Sequence, residues 1–183
     1  MKVNLQMKAS DIRAYLAGGD RRSIGRADEL VKALERQTSL LPELVEDMWN
    51  PDPVIAMRAA DATEKLSREH GQRLQRFKKE FLGLAGETQQ QELRWHLAAM
   101  LARLHLSPAE QRRTAAILTQ YLEDKSSIVR TFALQGLFDL AVLDSGLRPR
   151  VEELLRSAQR VGTAAMRARS RKLLARAGKD WRK

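Results

Sequence analysis

Three side chains in this sequence, His70, His96 and His105, are the candidates for neutral-pH proton transfer, because imidazole is the side chain whose ordinary range lies there. Proton transfer or metal ligation would have to start from them. His96 and His105 lie nine residues apart, and on a single helix a turn of ~100° per residue places them on opposite sides, which excludes a shared metal. His70 reads as the end of another helix, where an imidazolium complements the macrodipole. Asp61 and Glu64 resemble an acid/base pair, yet Lys65 and Arg68 follow them four residues later, in the favourable order for ion pairs along a helix surface. Such pairing needs no cleft. The chain has no cysteine, so it has no thiolate zinc site, cysteine nucleophile or disulfide. The residues therefore point to a non-enzymatic protein with no catalytic residue, metal or cofactor.

Phosphate binding is the other chemistry that the side chains could perform. The formal charge is +10, and its distribution is uneven. Residues 1–26 hold six basic and two acidic side chains, residues 27–143 hold fifteen and seventeen, and residues 144–183 hold twelve and four. The C-terminal run MRARSRKLLARAGKDWRK offers Arg167, Arg169, Arg171, Lys172, Arg176 and Lys179 for sequence-independent phosphate contacts. Its alternative reading is a solvated capping helix, since an end unit of a repeat stack needs a polar outer face. In GGDRRSIGR, Arg21, Arg22 and Arg26 follow glycines, but no Gly-Lys-Ser/Thr and no preceding strand make a phosphate loop.

These side chains must be positioned by helices. Leu, Ala, Glu, Arg and Gln dominate while Gly, Pro and aromatics are scarce, a composition that favours an all-α chain. Arg26, Arg58, Arg94, Arg130 and Arg167 recur at intervals of 32, 36, 36 and 37 residues. Three of them have an aspartate six positions earlier: Asp20, Asp52 and Asp124. A period of this size is that of stacked helix pairs. Each unit reads as helix A, a short turn carrying the acid, then helix B opening at the arginine. Candidate A helices carry Leu40, Leu41, Leu44, Val45 and Met48; Leu74, Phe77, Phe81 and Leu84; Ile117, Leu118, Tyr121 and Leu122; and Val151, Leu154 and Leu155, with a short one around Ile12–Leu16. Ser107-Pro108 and Pro149 mark helix starts. Gly18-Gly19-Asp20, Asn50-Pro51-Asp52-Pro53, Gly86, Asp124–Ser127 and Gly162 mark turns.

The units LLPELVEDMWNPDPVIAMRAADATEKL and TAAILTQYLEDKSSIVRTFALQGLFDLA resemble the HEAT-repeat, armadillo-like family, and the resemblance extends over nearly the whole chain. It implies a right-handed α-α superhelix, an α-solenoid of about five helix pairs. It also implies a ladder in which Asp20, Asp52 and Asp124 pair with arginines of their own or adjacent units, broken where Thr88 and Val161 replace the acid. The patterned Trp, Gly, Tyr and Pro residues of tetratricopeptide units are missing. As a whole the chain is similar to small bacterial HEAT-repeat proteins, a resemblance that implies no particular reaction. Some HEAT-like proteins are DNA glycosylases, but no Trp, Asp and Arg set can be carried across from them. An arginine opening helix B can lay its stem on a neighbouring helix while its head bonds an acid, so Arg58 and Arg130 read as structural.

One domain is expected over residues 1–178, with a basic tail at 179–183. Leu93, Leu97, Met100, Leu101 and Leu104 mark the buried side of the third B helix. Trp95, Ala99 and Ala102 fall opposite. The same offsets select Thr131, Gln135 and Phe138, then Ala168, Lys172 and Ala175, as the lining of a concave groove. A groove holding two aromatics suits a peptide or helix of a protein partner, with Trp95, Thr131, Gln135, Phe138 and Lys172 as contacts. In the competing reading these positions only touch neighbouring B helices. A nucleic-acid-binding solenoid, with repair as its setting, is the second reading, carried by the basic C-terminal unit. The first residues hold no apolar core of signal-peptide length, and no later apolar segment approaches the ~20 residues of a membrane span, so a soluble cytoplasmic protein is expected.

Overall fold

The computed structural model describes residues 7–18 and 23–181. Among these, all regular structure is helical and no strand occurs. No helix of the described residues is long and apolar enough to cross a membrane. The contacts divide the chain into two units, Met1–Glu80 and Phe81–Lys183, each arranged around one long helix.

In the first unit, α1 (Ala9–Leu16), α2 (Ala27–Arg36) and the short α3 (Leu41–Glu46) all touch α4 (Pro53–Leu74). α4 starts ahead of Arg58, the residue expected to open it: Pro53 occupies the first turn and the Asp52 side chain accepts from the Val54 N–H at 2.8 Å. Ala56, Ala59, Ala60 and Ala62 let the neighbouring helices approach α4 closely, and Ile12, Leu16, Leu30, Leu34, Leu44 and Met48 fill the space around it. At His70 the backbone leaves helical geometry (φ −124°, ψ 31°), which kinks α4 before its last turn.

The second unit contains the end of α5 (Lys78–Glu87), then α6 (Gln91–Met100), α7 (Pro108–Tyr121), α8 (Ser127–Leu143), α9 (Arg148–Val161) and α10 (Ala164–Asp180). Ser107 and Glu110 form a reciprocal capping box around Pro108. α8 packs against α6, α7, α9 and α10, and it is apolar nearly all round, with Val129, Ala133, Leu134, Leu137, Phe138, Leu140 and Ala141 buried. Gly136 sets the spacing: a Cβ there would lie 2.7 Å from the Ala98 carbonyl oxygen of α6 and 2.8 Å from a Leu118 methyl of α7. α10 runs through Asp180, so the tail expected from residue 179 begins inside a helix.

One helix boundary corrects the sequence reading. α6 ends at Met100, a 3-10 turn covers Leu101–Arg103, and Leu104 is extended, so His96 and His105 do not share a helix. His96 is buried and His105 exposed. The chain must leave helical geometry before the Ser107-Pro108 start of α7.

Candidate protein-binding face

α8 packs against both α6 and α10, and Trp95 and Gln135, two of the side chains expected to line a groove, lie along these two seams. Between α6 and α8, the half-buried Trp95 ring sits 5.2 Å from Phe132 and 3.3 Å from the His96 ring. Between α8 and α10, Arg169 lies over Phe132 at 5.7 Å and donates to the Gln135 side-chain oxygen at 2.7 Å, while Gln135 donates to Asp139 at 2.8 Å. Phe132, Gln135 and Asp139 share one side of α8, being three and four residues apart, and Arg169 and Arg176 share one side of α10. Burial holds the Asp139 carboxyl above the usual carboxylate range, against the opposing pull of the Gln135 bond and of Arg176, Arg103 and Arg169. The resulting surface is cationic, with one aromatic edge and one amide between α6 and α10.

Two of the five residues expected to contact a partner are inside the protein. Phe138 is 0% exposed, stacked on Trp181 at 5.5 Å and covered by the Arg176 guanidinium at 5.1 Å. The offset from Arg130 reaches Gln135 on the open stripe of Phe132, Gln135 and Asp139, but Thr131 and Phe138 fall beside that stripe, on sides of α8 that its neighbours cover. Thr131 is also buried, its hydroxyl donating to the Ser127 carbonyl at 2.7 Å. Trp95 and Gln135 are half-buried and Lys172 is exposed. Ala99 and Ala102 are buried, Ala168 is half-buried and Ala175 is exposed. Phe132 and Arg169 complete the surface. The groove offsets pass over Phe132, which lies one residue beyond Thr131, and Arg169 entered the sequence reading only as a phosphate ligand.

The remaining basic side chains of α10 spread around it. Arg171, Lys172 and Lys179 are exposed; Arg167 donates to the Gly162 carbonyl at 2.7 Å, and Arg176 pairs with Asp180 at 3.0 Å.

The periodic arginines divide by partner. Arg94 donates to the Thr88 carbonyl at 2.8 Å, to the Gln89 side chain at 2.6 Å and to Asp124 at 2.5 Å, and its head lies over the Tyr121 ring at 5.2 Å. Burial tends to raise the Asp124 carboxyl, but the Ser126 N–H and then Arg94 hold it below its ordinary 3.8. Arg58 behaves differently: it is 1% exposed and does not pair with Asp52. Its head donates to the carbonyls of Leu16 (2.7 Å), Ala17 (3.0 Å), Gly18 and Ser23 (3.0 Å). The first of these carbonyls ends α1, where a cation complements the helix dipole and satisfies orphaned acceptors. Asp52 is occupied instead as the cap of α4.

In that unit the buried Asp47 is bonded by Arg13 at 3.1 Å. Arg26 pairs with exposed Glu29 at 2.7 Å and lies over Tyr15 at 4.3 Å; Asp20, Arg21 and Arg22 lie outside the described residues. Arg130 is half-buried, and its Nε has no hydrogen-bond partner among the described residues.

The Asp61–Lys65 and Glu64–Arg68 pairs form at 2.7 Å each, but both acids are buried rather than on an open surface. α2 covers that side of α4, and its Asp28 shares Lys65 at 2.5 Å. Burial raises the Asp61 carboxyl against the opposing effect of Lys65. Compared with known proteins, the chain matches no family model, no curated protein and no solved structure.

Proposed function

We propose that the helix pairs of this chain stack as a HEAT-type α-solenoid and that the protein is a non-enzymatic scaffold. In this reading it holds an acidic protein segment along the face formed by α6, α8 and α10. The observation that carries it is the recurrence of side-chain bonds at one repeat's separation: Tyr121 to the Ala85 carbonyl (36 residues apart), the Ser127 and Thr163 hydroxyls (36) and Arg169 to Gln135 (34). Such bonds join equivalent points of successive units, which is the wiring a one-dimensional stack needs. The occupant follows from the chemistry of the face. Arg103, Arg169, Arg176 and Lys172 favour carboxylates, and the Trp95 and Phe132 rings give apolar contact area at small conformational cost.

Photo-crosslinking tests this reading. A photoreactive residue at Gln135 or Lys172 should capture one protein in native lysate, and the same residue at exposed Arg112 of α7 should not. Arg169→Glu should abolish the capture. Equal capture from Arg112, or capture indifferent to Arg169→Glu, contradicts it.

The exposure of Arg171, Lys172 and Lys179 on α10 favours a second reading, nucleic-acid binding in repair, through sequence-independent phosphate contacts. Duplex DNA binding that weakens steeply with added salt supports it; no binding at low salt removes it.

A further inference from the structure

In the first unit, Glu35 of α2 meets Glu69 and His70 of α4, with the three candidate ligand atoms all within 4.8 Å of one another. Consecutive residues on a regular helix point about 100° apart, so Glu69 and His70 would not ordinarily converge. Here the backbone of His70 is non-helical, which takes its side chain off that spacing and toward α2. His70 Nε2 lies 3.6 Å from a Glu35 carboxylate oxygen, too long for a hydrogen bond and short enough for both atoms to bind one ion. Arg73 holds the Glu35 carbonyl at 2.9 Å, which fixes the end of α2 beside the kink. Its positive charge also works against a cation there.

We propose that Glu35, Glu69 and His70 form a divalent transition-metal site of the zinc class, tying the end of α2 to the kinked end of α4. One imidazole nitrogen with two carboxylates suits zinc, whose bonds to these ligands are about 2.0–2.2 Å and whose fourth position water can fill. Calcium and magnesium, which require six or more oxygens, do not suit it. Closing the cluster from its present spacing asks only for side-chain rotation, since Glu69 is exposed and Glu35 and His70 are half-buried. The sequence gives no sign of the site, because Glu35 precedes Glu69 by 34 residues and no metal-ligand spacing links them.

The test is titration of the full chain, stripped with chelator, with zinc ions followed by calorimetry, together with cobalt substitution followed by its visible spectrum. One equivalent of zinc should bind, cobalt should give a low-symmetry absorption band, and the imidazole signals of His70 alone among the three histidines should shift. His70→Ala should abolish binding. The exposed variant Glu69→Gln, which leaves the fold intact, should weaken it by at least the roughly tenfold that loss of a supporting group costs. His105→Ala should leave it unchanged. No zinc binding by the parent chain, or equal binding by Glu69→Gln and by folded His70→Ala, overturns the proposal.

Discussion

Arg58 in the first unit and Arg94 in the second occupy the same place in the period, yet they are held by different chemistry. Arg94 bonds a carboxylate, an amide and a carbonyl, and it remains partly exposed. Arg58 is enclosed, and the backbone carbonyls of Leu16, Ala17, Gly18 and Ser23 are among its acceptors. The difference follows from what each local chain leaves unsatisfied. Asp124 and Asp52 each spend one oxygen on a backbone N–H, that of Ser126 and that of Val54; the second oxygen of Asp124 takes the Arg94 guanidinium, whereas Arg58 reaches the carbonyls at the end of α1. An arginine at this position therefore staples the acceptors within its reach, backbone carbonyls as well as a carboxylate.

Removing the enclosed staple should have the largest effect. Arg58→Ala leaves several buried carbonyls without donors and a cavity beside α1, so a loss of about 3 kcal/mol or more is expected in urea unfolding. Gly25→Ala should come next. Gly25 has φ +58°, and a Cβ there would lie 2.9 Å from the Arg58 guanidinium carbon, whose position the surrounding carbonyls fix. A cost of about 1–3 kcal/mol is expected, and it should shrink in the Arg58→Ala background.

Arg94→Ala should cost about 2 kcal/mol, since the Asp124 carboxylate and the Thr88 carbonyl both lose a charged donor. Its pH dependence sharpens the contrast between the units. Asp124 is held below its ordinary 3.8, so the stability it contributes is complete above that value and is lost as pH falls through the lower folded-state value. Arg94→Ala should flatten this acid limb. The smallest effect is expected from Asp52→Ala, about 1 kcal/mol, the usual cost of an N-cap.

Much of the helix layout was legible from local signals, and what was not legible depended on partners far along the chain. The start of α7 follows from Ser107-Pro108, whereas α4 and α8 open at Pro53 and Ser127, inside the stretches expected to be turns and ahead of the arginines expected to open them. Arg58 was recognised as structural, but its acceptors were not, because a backbone carbonyl has no residue type to read. Phe138 is expected on the open face, but the open stripe of α8 runs through Phe132, Gln135 and Asp139, and on a largely apolar helix a periodic offset misses so narrow a stripe. Thr131 followed it for the same reason. The kink at His70, which sets Glu35, Glu69 and His70 together, has neither proline nor glycine at its own position to announce it, although Gly71 follows.

Double-mutant cycles on the two arginine–aspartate positions test the staple account most directly. Arg94→Ala with Asp124→Ala should show a coupling of about 1–2 kcal/mol, and Arg58→Ala with Asp52→Ala should be additive to within about 0.5 kcal/mol. Equal coupling at both positions, or none at Arg94 and Asp124, would contradict it.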